Sequence, residues 1–346
     1  MSTRKAGALL IVAAGPPGGG TVAALSPGDG RMHGQAAVAQ PLHIVRHPRG
    51  GHIYAASAAG PGSIVALRLT AGGELHPVSE APSEGATPCH LAIDPTGRFL
   101  LTANYDGGTV AVRALGQDGR LGPVTDVAEL PPPRHPADPG RQDKAHPHQV
   151  VFDPAGSHLL VSDLGTDRVL AFRLDGHNGR LHQANVCALP AGSGPRNLTF
   201  LPGAPTEVYI ACELDSTVKK NEYNPRTAAL TPRHSTPAGQ RRAVRNYPGV
   251  IAVSAAHHRV YVANRGNDTI ATVAPAGLTE TPSGGSWPMD IAATGTALLV
   301  ANRDTGNIAT LELDPVTGAP ARHTGDIAIP RPVSILLAPP AHPHTA

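Results

Sequence analysis

Residues 87–104 read TPCHLAIDPTGRFLLTAN, and residues 146–163 read HPHQVVFDPAGSHLLVSD. In both, an apolar strand runs into D-P-x-G, a second apolar strand follows, and a polar residue ends it. The turn chemistry is specific: proline presets one backbone angle and glycine supplies the left-handed one. The same plan recurs at 42–57, 194–213, 246–264 and 287–302. A third strand usually follows, as at 108–115 and 167–174, then a turn and a Gly-x-Leu stub at 119–121 and 179–181. The polar residues that close the second strands are Ser57, Asn104, Asp163, Glu213, Asn264 and Asn302. They lie between 38 residues (264 to 302) and 59 residues (104 to 163) apart. Periods of that size, with several short strands per unit, indicate an all-β chain folded as a β-propeller.

Six repeats are complete, and the ends supply a seventh. The chain opens on ALLIVAA at 8–14 and closes on VSILLA at 333–338. Both read as strands of one shared blade, a closure that removes free sheet edges. Residues 1–346 are therefore expected to form one seven-bladed domain, because each blade buries its faces only against its neighbours. The 39 glycines and 36 prolines argue against long helices. The hydrophobic content of 40% falls in strand pattern, which excludes disorder. The single tryptophan precedes proline, so no WD dipeptide places the chain among WD40 propellers.

A net charge of +2 over 346 residues predicts neither a nucleic-acid partner nor attachment to an acidic membrane. No apolar run approaches the ~20 residues of a membrane helix. Cys89, Cys187 and Cys212 have no C-x-x-C spacing, so no zinc site and no disulfide framework is expected. Free thiols suit a reducing, cytoplasmic compartment. Arg4 and Lys5 ahead of 6–14 imitate a short signal peptide. The strand reading is preferred, because the ring needs that segment. Arg241, Arg242 and Arg245 read as a solvated loop. Residues 131–143, PPPRHPADPGRQD, lengthen the third repeat as either an inert insertion or a lid.

Propeller topology places the chemistry. The first strand of each blade lines the channel and the second runs antiparallel beside it. First-strand starts and second-strand ends therefore share one mouth. The starts give His90, His148, Arg196, Asn197, Asn246, Trp287 and Asp290. The ends give Asn104, Tyr105, Asp163, Glu213, Asn264, Arg265, Asn302 and Arg303. A rigid concave mouth lined by His, Arg and Glu suits a small molecule. Of these, His90, Asn104, Asp163, Asn264, Trp287, Asp290 and Arg303 are expected to contact substrate. Each asparagine could instead cap a turn. Glu213 needs a charged partner if buried. Arg196 and Arg265 are its natural partners, in a catalytic or a structural pair.

These residues also carry a resemblance. Pro88-Cys89-His90 with Asp94-Pro95-Thr96-Gly97, His146-Pro147-His148, Gly194-Pro195-Arg196, Glu213-Leu214-Asp215, Asn264-Arg265-Gly266 and Trp287-Pro288 resemble the seven-bladed lactonase family. That family includes propeller-type 6-phosphogluconolactonases and the fungal carboxymuconate cyclases. The resemblance spans almost the whole chain and implies catalytic roles for His148, Arg196, Glu213 and Arg265. Three departures stand out: Asn197 where the family has His, Met289 where it has Arg, and the polar run Lys219-Lys220-Asn221-Glu222 where it has an apolar strand.

Three functions fit. In a lactonase, Glu213 or His148 acts as general base toward water, and Arg196 and Arg265 hold the oxyanion or a substrate anion, with no metal or other cofactor. In a muconate-type cyclase, the same groups would bind an unsaturated acid and deliver a proton to carbon. The third possibility is a non-enzymatic scaffold, but the polarity concentrated inside the mouth argues against it. The expected partner is thus a small-molecule lactone or carboxylic acid.

Overall fold

Every inner strand of the ring begins at or beside a proline. In the computed structural model, which describes residues 8–16, 19–240, 245–274 and 277–339, these strands are Pro41–Arg46, Pro88–Ile93, Pro147–Phe152, Pro195–Leu201, Tyr247–Ser254, Pro288–Ala293 and Pro332–Ala338. Proline has no N–H to give to a ladder, so it fits the first residue of a strand. The residue before it often adopts a left-handed backbone: Gln40, Thr87, Trp287 and Arg331 all have φ between 43° and 59°. That kink turns the chain from the blade rim into the channel.

Each inner strand opens a four-stranded antiparallel sheet. We number the blades 1 to 7 from Pro41. Blade 7 pairs Pro332–Ala338 with Leu9–Ala14, then Thr21–Leu25 and Met32–Ala37. Its register joins Leu10 to Leu337 and Val12 to Ile335. The inner strands contact one another in chain order, and Pro332–Ala338 returns to Pro41–Arg46 to complete the ring. The Gly-x-Leu stubs are the starts of full fourth strands, such as Leu75–Pro82, Leu121–Glu129 and Leu181–Ala188. These strands are largely exposed at the rim, so their sequence lacks the apolar signal of inner strands. The polar departure after Glu213 still forms a strand, Thr217–Asn224, with Val218, Asn221 and Tyr223 buried.

The core lies between blades. Ile11, Val22 and Val38 of the seventh blade pack with Ile44, Ile53 and Leu67 of the first. Burying one such side chain contributes about 1.5–3 kcal/mol. Polar clips add to this around the channel. In three blades the third residue of the inner strand accepts the backbone N–H of the fourth residue in the next blade. His43 Nδ1 accepts from Leu91 at 3.2 Å, Gln149 Oε1 from Leu198 at 2.6 Å, and Asp290 Oδ2 from Ile335 at 2.8 Å. Asp290, expected to contact substrate, is thus engaged as a blade-to-blade clip.

Two outcomes are expected. A chain ending at Arg331 loses the partner strand of Leu9–Ala14 and should show no cooperative thermal transition. A truncated protein melting within a few degrees of the full chain would refute the closure. The second concerns Asp290. Burial pushes its carboxyl up to about 6, against the opposing pull of the Ile335 and Ile291 N–H groups. An unfolded aspartate titrates near 3.9, so the folded state holds this proton more tightly. The stability it contributes is full below about pH 4 and is lost as pH rises through about 6. Asp290→Asn keeps an acceptor for Ile335 and cannot ionise. Its melting temperature should therefore exceed that of wild type at pH 8, and the gap should close toward pH 4. A variant less stable than wild type at pH 8 would contradict this.

Candidate active site

At the mouth, Glu213 is the centre of charge. It follows directly on the second strand of blade 4, Ala204–Cys212, and is only 3% exposed. Three guanidinium groups converge on it. Arg196, on the inner strand of its own blade, and Arg265, ending the second strand of blade 5, both reach Oε2, at 2.8 and 2.5 Å. Arg141 reaches Oε1 at 2.7 Å. Burial alone would push the carboxyl up, but Arg196, Arg265 and Arg141 outweigh it and hold the group far below the ordinary carboxylate range. Burial, and repulsion from Arg196, bring Arg265 down to about 10, so it stays charged at neutral pH.

Arg141 comes from the Pro-rich segment 131–143. Sequence reading left that segment open as insertion or lid and did not select Arg141. The only hint was a long loop rich in Arg and Pro, and no spacing rule ties such a residue to a channel. The structure lays the loop over the mouth from blade 2 toward blade 5. Arg141 also donates to the Tyr105 hydroxyl at 3.3 Å, and Lys144 donates to the Asp106 carbonyl at 2.6 Å. Asp138 lies 3.4 Å from Arg245, whose guanidinium stacks over Tyr247. Arg245 was read as part of a solvated loop; it is 60% exposed and also pairs with Asp138 of the Pro-rich segment. Arg241 and Arg242 lie outside the described residues.

The loop is pegged. Gln142 is fully buried, donating to the Leu164 carbonyl and accepting from the N–H groups of Ala137 and Asp138. Its return passes so near blade 3 that a Cβ on Gly165 would lie 2.0 Å from the Lys144 carbonyl oxygen. His146 then stacks on Tyr105 at 4.3 Å, and Tyr105 meets His148 edge-on at 5.6 Å.

His148 starts the inner strand of blade 3 and keeps part of its surface open to the channel. Crowding by the protein, then the charge of Arg196, push its pKa well below that of an ordinary imidazole; Glu213 opposes the shift. The ring is therefore neutral at pH 7, and its Nδ1 has no hydrogen-bond partner among the described residues. His90 lies nearby, stacked on His43 at 3.9 Å, and is lowered in the same way by burial, His43 and His148.

The other expected contacts divide. Arg265 donates to the Tyr247 carbonyl at 3.1 Å, Tyr247 lies 6.0 Å from Trp287, and Arg303 covers Trp287 at 5.0 Å. This row carries the mouth round to blade 6. Trp287 has φ of 59°, a conformation held by its N–H bond to Asp268 Oδ1 at 2.7 Å. Asn104, Asp163 and Asn264 are instead fully buried. Asn104 donates to the Ser83 carbonyl and Thr109, and Asn264 to the Ala238 carbonyl and Thr269. Asp163 accepts from the N–H groups of His146 and Gly165 and from the Thr166 hydroxyl. All three are buried in hydrogen bonds at their strand ends. Asn197 is also buried; Met289 keeps some exposure beside Asp290. Among the described residues, no group of three or more His, Cys, Asp or Glu converges as a metal site.

Comparison with known proteins agrees with this fold. The family model described as "Lactonase, 7-bladed beta-propeller" matches residues 27–337. A 6-phosphogluconolactonase of Bacillus subtilis is 29% identical over 313 residues, covering 87% of this chain and 88% of that protein. A Lactococcus lactis protein of uncharacterised function is 29% identical over 315 residues, covering 87% and 89%. The structure of the periplasmic gluconolactonase PpgL from Pseudomonas aeruginosa superposes with a TM-score of 0.85 at 26% identity, covering 96% of this chain and 99% of that one.

Proposed function

Because the chain belongs to the lactonase family of seven-bladed β-propellers, we propose that it hydrolyses a sugar-acid lactone, opening the ring to a hydroxy acid. The single observation that carries this reading is the charge balance at the mouth. Three arginines face one buried carboxylate, leaving an excess of two positive charges beside a neutral imidazole. Such a site favours anions, and ester hydrolysis creates one at the carbonyl oxygen. The names of the B. subtilis and P. aeruginosa relatives support the same chemistry.

The roles follow from the physical state of each group. Water attacks the lactone carbonyl carbon, and His148 accepts the proton that water loses. The carbonyl oxygen becomes an oxyanion held by Arg196 or Arg265. Collapse breaks the bond to the ring oxygen, which takes up the proton from His148 and leaves as a hydroxyl. The new carboxylic acid then ionises. Glu213 is unsuited to the base role, since a carboxylate held so far below its ordinary pKa is a weak proton acceptor. It is a positioning residue that fixes the direction of Arg196 and Arg265. Among the described residues, Cys89, Cys187 and Cys212 form no disulfide. No helix of the described residues is long and apolar enough to cross a membrane.

Proton release from a panel of sugar lactones, corrected for spontaneous opening, tests the activity. His148→Ala should lower kcat at least tenfold. The acidic limb of the wild-type profile should lie below pH 6.5, the ordinary imidazole value, because the neutral ring resists protonation. Glu213→Gln should also lose at least tenfold in kcat. It should retain an acidic limb at or below that of wild type, since removing the carboxylate takes away the one charge that raises the His148 pKa. A His148→Ala enzyme within twofold of wild type would reject the base assignment.

A further inference from the structure

Resting on the lactonase reading, we propose that Arg141 is the specificity-determining residue of the site: it leaves Glu213 to hold an anionic group, a phosphate or carboxylate, on the substrate away from the reacting carbonyl.

The three arginines on Glu213 are not equivalent. Arg196 and Arg265 sit on blade strands, are 13% and 8% exposed, and share one oxygen of the carboxylate. Arg141 is carried by a loop above them, is 34% exposed, and takes the other oxygen. Its departure leaves both contacts to Oε2 in place, so Glu213 remains compensated by two guanidinium groups. A buried carboxylate needs only one opposite charge for neutrality. The outermost arginine is therefore the one whose charge is free for a ligand. Its second acceptor, the neutral Tyr105 hydroxyl at 3.3 Å, offers little to hold it back.

The placement is built, since Gln142 anchors the neighbouring residue in the protein and Gly165 allows the loop to pass against blade 3. The backbone of residue 141 is fixed while its side chain faces the opening. A planar guanidinium in that position suits two parallel bonds to a carboxylate or phosphate. Charges facing Arg141 from the surrounding elements are Glu213, Arg196 and Arg265 below it, and Asp138 already engaged by Arg245 beside it. No cation stands at position 289, where Met289 occurs. The loop thus supplies from above a charge that position 289 does not.

The test compares glucono-1,5-lactone with its 6-phosphate, and gluconate with 6-phosphogluconate, on wild type, Arg141→Gln and Arg141→Lys. Wild type should favour the phosphorylated lactone in kcat/KM. Arg141→Gln should lose at least tenfold more on the phosphorylated lactone than on the neutral one, through KM. Arg141→Lys, which keeps the charge without the fork, should fall between. Calorimetry should show Arg141→Gln binding 6-phosphogluconate at least tenfold more weakly, with gluconate little changed. Equal losses on both lactones with a lowered melting temperature would overturn the proposal and leave Arg141 as a loop staple, as would no loss at all. A wild type that opens neither lactone, yet binds 6-phosphogluconate through Arg141, would sink the lactonase reading and uphold the anion site.

Discussion

The ladder between Leu9–Ala14 and Pro332–Ala338 is the constraint on which the rest depends. A propeller blade buries its two faces only against its neighbours, so an open ring leaves two faces and an inner strand exposed. Joining the ends in one sheet makes the stacking cyclic. It also fixes where seven prolines deliver seven inner strands to the channel. Residues from blades 2 to 6 then meet at one mouth without any of them being close in sequence.

That rigidity is what makes the charge cluster possible. Taking a carboxylate and several guanidinium groups out of water costs several kcal/mol per ion. The cost is offset only if geometry is held, because displacing both Arg196 and Arg265 would leave Glu213 without its buried partners. Arg196 and Arg265 are held by strand ends of two blades, and Glu213 by the end of a third strand between them. The consequence is chemical as well as structural. The same arginines that permit burial of Glu213 remove its basicity, and their field, with burial, keeps His148 neutral. One electrostatic arrangement thus holds Glu213 as an anion beside a neutral His148 imidazole.

Much of this was legible along the chain. Strand, turn and strand recur because the second strand of most blades is buried along nearly its whole length, as in Phe99–Asn104 and Leu159–Asp163, and each D-P-x-G turn needs its own residues. The seven-fold count and the shared terminal blade follow from the repeats. His148, Arg196, Glu213 and Arg265 could be brought to one mouth from topology alone, since strand parity dictates which ends emerge together. The outer strands were legible only as stubs. Their side chains face water on the rim, so nothing in them repeats with apolar period two. Asn104, Asp163 and Asn264 were equally placed by topology, yet they turn into the strand ends. Whether a polar residue at such an end faces channel or cap depends on the neighbouring blade, as Ser83 and Ala238 show.

The sequence by itself determined the architecture, the closure and the residue types at the mouth, because these rest on local periodicity and on the direction of each strand. Only the tertiary structure decided which of those residues share a charge. Arg141 lies 72 residues from Glu213, on a loop whose composition says only that it is not a strand. Asp290 carries the chemistry of a ligand contact but is engaged by the backbone of Ile335, 45 residues away. The protonation of Glu213 and His148 was likewise out of reach. A pKa is set by burial and by the charges within a few ångströms, and both are properties of the closed ring and not of the chain.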